Sequence, residues 1–93
     1  MRTIITSSME IATYPEKFSD DITIEINTDS EDHYIIVLSN PVGRILRMMG
    51  VNLIQGKNKV HLDNVTMLEV GTYQISVKNT NSNILYSSML TKF

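Results

Sequence analysis

Ninety-three residues make one domain, and 42% hydrophobic with 19% charged residues is too apolar a balance for a disordered tail. The lack of cysteine excludes disulfides, thiol chemistry and Cys-ligated zinc, and a formal charge of −2 offers no basic excess for nucleic acid. No apolar run approaches the roughly 20 residues of a membrane-spanning helix, so no membrane span is expected.

Residues 1–10, rich in Thr and Ser, read as a tail or linker end, and residues 11–93 as the folded domain. Met1–Glu10 lacks the apolar centre of a leader peptide, so if this domain is exported its signal is expected on a longer chain upstream. Glu10–Tyr14 reads as a short first strand, stopped by Pro15, which cannot donate to a ladder. Asp21–Asn27 alternates cleanly, with Ile22, Ile24 and Ile26 on one face and Thr23, Glu25 and Asn27 on the other.

His33–Ser39 contains the unbroken run Tyr34-Ile35-Ile36-Val37-Leu38, the pattern of a central strand buried on both faces. Asn40-Pro41-Val42-Gly43 follows as a turn: Pro41 suits its first central position, and Gly43 suits the positive φ of a bulged hairpin. Arg44–Met49 returns antiparallel, and Gly50 is expected to break or bend it. Val51–Ile54 leads to a turn at Gln55–Asn58, then Lys59–Leu62 forms a strand with Val60 and Leu62 inward.

Residues 63–70 are irregular, and Met67 with Leu68 is expected to plug the open end of the core. From Gly71, Thr72–Lys78 carries Tyr73, Ile75 and Val77 on one face; Asn79–Asn83 is a polar loop in which Asn supplies the left-handed residue; Ile84–Lys92 closes the sheet. This predicts an all-β, immunoglobulin-like β-sandwich of about seven antiparallel strands.

Candidate chemistry is sparse. His33 and His61 lack the close His spacings that a zinc site uses and read as solvated or locally hydrogen-bonded. No Ser lies in a G-x-S-x-G elbow, and the four glycines are scattered singly at turns rather than grouped to cradle phosphate. Asp20, Asp21, Asp29, Glu31 and Asp32 crowd two neighbouring loops, which leaves calcium binding open, although no EF-hand spacing is present. The methionines read as core filler, with an apolar docking patch as the alternative. A last strand at a sheet edge would offer unpaired backbone groups to a partner. These residues predict neither catalysis, nor a cofactor, nor a metal site, and a function in being recognised.

Several segments also fall in a telling order: Tyr14-Pro15, Phe18-Ser19-Asp20 running into Ile22-Thr23-Ile24, Val37-Leu38, Gly43-Arg44-Ile45, Gly56-Lys57-Asn58, Gly71-Thr72-Tyr73, and the terminal Leu90 and Lys92. Over Ile11–Phe93 this order resembles the C-terminal sorting domain (type A) of the type IX secretion system of the Bacteroidetes. Glu16-Lys17 stands where that family usually has Asn-Pro, and Glu69-Val70 where it often has Pro-Ala.

The resemblance implies a non-catalytic address at the end of a cargo protein. Its partners would be the outer-membrane translocon, a sortase-like peptidase and the upstream cargo domain in cis. The cargo would pass through the periplasm and end secreted or at the cell surface. The resemblance also assigns recognition to Gly71, Tyr73, Leu90 and Lys92, with Lys92 expected as an exposed charge. The same fold without the address, a structural or adhesive cell-surface module with calcium binding left open, is the alternative reading.

Overall fold

A computed structural model describes residues Met9–Phe93, and these are all-β. Eight strands form: β1 (Glu10–Tyr14), β2 (Lys17–Phe18), β3 (Ile22–Thr28), β4 (Asp32–Ser39), β5 (Ile45–Leu53), β6 (Gly56–Leu62), β7 (Gly71–Asn79) and β8 (Ile84–Lys92). They make two sheets, a three-stranded one ordered β1-β3-β6 and a five-stranded one ordered β2-β8-β7-β4-β5. Among the described residues every pairing is antiparallel except β2 with β8, which is parallel. The expectation of about seven antiparallel strands thus gains a two-residue parallel strand, too short for alternation to reveal. Of the expected tail at residues 1–10, residues 1–8 lie outside the described residues, whereas Met9 packs against the core and Glu10 opens β1.

The core follows the two-residue period. Ile22, Ile24 and Ile26 of β3 and Leu62 of β6 point inward from one sheet. From the other come Tyr34, Ile36 and Leu38 of β4, Tyr73, Ile75 and Val77 of β7, and Leu90 of β8. Each fully buried aliphatic contributes about 1.5–3 kcal/mol over its exposed state. β4 lies between β5 and β7, and its run is covered on both faces at Val37 as well as at Ile36 and Leu38.

Two sequence expectations are corrected in the irregular segment and in β5. Val65, not Met67, plugs the open end: Val65 is fully buried, Leu68 packs at its margin, and Met67 is 90% exposed. Val65 opens the turn that the Leu68 N–H closes onto the Val65 carbonyl, and Met67, a central residue of that turn, projects to solvent. Gly50 does not break β5, which runs from Ile45 to Leu53 with Gly50 opposite Ile35. Its missing side chain instead leaves room for the His33 ring, which lies 3.4 Å from where a Cβ would stand.

The two hairpin turns of the five-stranded sheet use one device. At Asn40–Arg44 the Asn40 side-chain oxygen accepts from the N–H groups of Val42 and Arg44, and Gly43 holds φ 89°. At Asn79–Asn83 the Asn79 oxygen accepts from Asn81 and Asn83, and the left-handed residue is Ser82, at φ 67°, rather than an asparagine. In both, the amide of the left-handed residue also donates to the carbonyl of the leading Asn. An Asn that caps its own turn in this way sets register at each end of the sheet.

A candidate recognition corner

Phe18, Gly71, Tyr73, Leu90 and Lys92 come from three segments far apart in sequence and meet at one corner of the five-stranded sheet. Gly71 sits opposite Lys92, and Tyr73 opposite Leu90, across the β7–β8 ladder. On the other side of β8, Phe18 sits opposite Lys92. The Thr91 N–H donates to the Glu16 carbonyl at 2.8 Å and the Phe93 N–H to the Phe18 carbonyl at 3.2 Å, which fastens β2 to the end of β8. The Phe18 and Tyr73 rings meet edge to face, with centroids 6.1 Å apart and planes at 62°, an arrangement that places one ring's positive edge against the other's negative face.

Tyr73 does two jobs. Its ring is buried, while its hydroxyl donates to the Glu69 carbonyl, four residues upstream. This is the tyrosine corner of immunoglobulin-like sandwiches, and it pins the end of the 63–70 segment to the start of β7. Gly71, two residues earlier, has φ 153°, a conformation that side-chain-bearing residues rarely adopt, so the chain can enter β7 sharply there.

The expectation that Lys92 is an exposed charge is overturned. Lys92 is only 6% exposed, and its ammonium group donates to the Phe93 carbonyl at 3.0 Å. The reason is that β8 is not bare at its end: β7 flanks Lys92 on one side and β2 on the other, and Lys92 shares the inward parity of Leu90. Its carbon stem is covered while the charged tip reaches a carbonyl. Three of the four residues singled out, Tyr73, Leu90 and Lys92, therefore shape the corner from within. What the corner presents outward are the largely exposed Val70 and Phe93, with Met67 nearby in the same segment as Val70. An open groove of about 580 Å³ runs beside it, lined by Arg44, Leu46, Met67, Val70, Gly71 and Tyr73.

Sequence reasoning missed Phe18 as a core residue. Its signal was present: a single aromatic among Glu16, Lys17, Ser19 and Asp20, with no apolar neighbour to form a pattern. The histidines are locally bonded, as expected. His33 Nδ1 lies 2.7 Å from the Asn52 side-chain oxygen, and His61 Nδ1 lies 3.1 Å from the Thr23 hydroxyl and 3.7 Å from Asp21. Among the described residues no three His, Asp or Glu side chains stand together as a metal site would need, so the acidic loops at Asp20-Asp21 and at Asp29–Asp32 do not converge. Among the described residues no helix is long and apolar enough to cross a membrane.

On the outer face of the three-stranded sheet, Lys59 pairs with Glu25 at 3.7 Å, and the Tyr14 hydroxyl donates to Glu25 at 2.8 Å. That hydrogen bond to the carboxylate, ahead of burial, raises the Tyr14 pKa. Tyr34 is raised chiefly by burial and then by the charge of Asp32. A proton held on either phenol is ordinary for a solvated ladder or a packed core, and neither group faces the corner.

The chain is thus a small β-sandwich module with one corner assembled from three distant segments. No family model matches it, and no curated protein does. Among solved structures it is similar to part of a β-glucosidase from Listeria innocua, with a TM-score of 0.55 and 13% identity, covering 90% of this chain and 16% of that one. A GH3 β-glucosidase from Bifidobacterium adolescentis gives 0.55 and 12%, covering 91% and 17%. A β-glucosidase from Kluyveromyces marxianus gives 0.52 and 17%, covering 91% and 14%. The chain spans only a small part of the length of these enzymes, and the likeness carries the fold alone.

Proposed function

We propose that this chain is a folded address: a C-terminal sorting domain read by the type IX secretion machinery, with no turnover of its own. The observation that supports this is the convergence of Phe18, Gly71-Tyr73 and Leu90-Lys92. These three segments carry much of the resemblance, and their meeting at one corner gives a partner a single shaped surface to read. In this reading Gly71, Tyr73, Leu90 and Lys92 act by setting the corner's shape. The translocon and a sortase-like peptidase are the partners, a cargo domain precedes the address in cis, and the cargo ends outside the outer membrane or on it. No cofactor takes part.

The test is a reporter carrying an export signal, fused ahead of this chain in a type IX-competent host. The fusion is expected outside the cell or on its surface, and in the periplasm of a strain lacking the translocon. Equal export with the chain removed, or equal export without the translocon, would refute the assignment. A second reading, a structural or adhesive cell-surface module, rests on the same fold without the address. It predicts that the fusion stays periplasmic in both strains.

A further inference from the structure

Among the described residues, the outer edge of β8 is open over most of its length. Among the described residues β2 pairs with β8 only at Thr91 and Lys92, while β7 occupies its other side. The amides of Thr91 and Phe93 point to the β2 side. By the two-residue period, the N–H and C=O groups of Ser87 and Met89 point to the same side, where none of the described strands pairs with them. Unpaired ladder groups in a row are a template for another strand unless charge, proline or a bulge blunts them.

The other sheet edges are blunted. β6 carries Lys57, Lys59 and His61. β1 is five residues long and begins with Glu10. On β5 the Arg47 guanidinium folds along the edge, donating to the carbonyls of Leu46 and Asn64. Along β8, Ile84-Leu85-Tyr86-Ser87-Ser88-Met89-Leu90 has no charge, proline or glycine; its one irregularity is the bulge near Leu85.

That segment is complementary to itself. A two-fold axis through Ser87 in an antiparallel pair sets Ser87 against Ser87 of the second copy, Leu85 against Met89, and Tyr86 against Ser88. Leu85 and Met89, 42% and 51% exposed, would cover one another on the outer face. No like charges meet, whereas an antiparallel pair of β6 edges would bring Lys57, Lys59 and His61 together. We infer that the free edge of β8 pairs antiparallel with the β8 of a second copy of this chain, joining two five-stranded sheets across a two-fold axis at Ser87. This self-pairing stands apart from the sorting proposal and does not depend on it.

The test uses charge at the axis. Sedimentation of the full chain over a concentration series is expected to show a monomer–dimer equilibrium. Ser87→Lys and Ser87→Asp each place like charges opposite one another and are expected to weaken dimerisation at least about tenfold. An equimolar mixture of the two is expected to recover a dimer, because Lys then faces Asp. Circular dichroism of each variant confirms the fold. A chain that stays monomeric at all concentrations, a dimer indifferent to either substitution, or variants that fail to recover on mixing would each overturn the inference. A monomer that instead binds an extended peptide along β8 would also overturn it, in favour of strand addition by a different partner.

Discussion

Replacing Tyr73 by Phe separates the two jobs of this side chain. The ring, its burial and its edge-to-face contact with Phe18 are kept, and the hydrogen bond to the Glu69 carbonyl is lost. A net loss of about 1 kcal/mol is expected, within the roughly 0.5–1.5 kcal/mol of an intramolecular hydrogen bond. The cost stays at that level because the bond is only partly buried and Glu69 is an exposed residue. In a domain of this size such a loss lowers the melting temperature by about 4–8 °C. Tyr73→Ala removes the ring as well and is expected to cost about 3–5 kcal/mol. Urea denaturation of the wild type and both variants gives the two differences, with an unchanged m value for Tyr73→Phe. A Tyr73→Phe variant as stable as the wild type, or as unstable as Tyr73→Ala, would refute the division between hydroxyl and ring. In the sorting assay Tyr73→Phe is expected to keep export, since no outward-facing side chain changes.

Four further substitutions have definite expected outcomes. Ser82→Gly is expected to stabilise by about 0.5–1 kcal/mol, because relief of left-handed strain at φ 67° exceeds the entropy that glycine adds to the unfolded chain; a destabilised variant in urea titration would count against this. Gly71→Ala is expected to cost about 1–3 kcal/mol from backbone strain at φ 153°, although no atom stands within 4 Å of the added Cβ. Gly50→Ala, in an extended strand with only the His33 ring nearby, is expected to be tolerated, and equal effects in thermal melts would contradict the contrast. Burial raises the Tyr34 pKa above 10.0, so its contribution to stability is complete below the unfolded value and fades as pH rises through the folded one. Urea midpoints at about pH 8 and 11 are therefore expected to fall less in Tyr34→Phe than in the wild type, and parallel falls would exclude the effect.

Much of the fold is legible in the sequence because strand alternation is a local property. Ile22, Ile24 and Ile26 declare their face without reference to anything else, and so do Tyr73, Ile75 and Val77; all but Tyr73 are fully buried, and Tyr73 nearly so. The Asn40-Pro41-Val42-Gly43 turn is equally readable, since proline fixes its φ and glycine permits the positive φ that the turn needs. Misreadings fall where burial depends on a neighbour distant in sequence. Lys92 reads as a solvated terminal charge until β2 is placed beside β8. Met67 and Val65 are both apolar residues in an irregular segment, and only the shape of the gap decides which enters it.

The sequence alone therefore determined the class of fold, most of the strands and the facing of their side chains, because a period of two residues is written into neighbouring positions. Tertiary structure decided the parallel seating of Phe18 against β8, the burial of Lys92 and the gathering of three segments into one corner. They turn on the pairing of β2 with β8, whose residues lie 74 positions apart, which local pattern cannot encode.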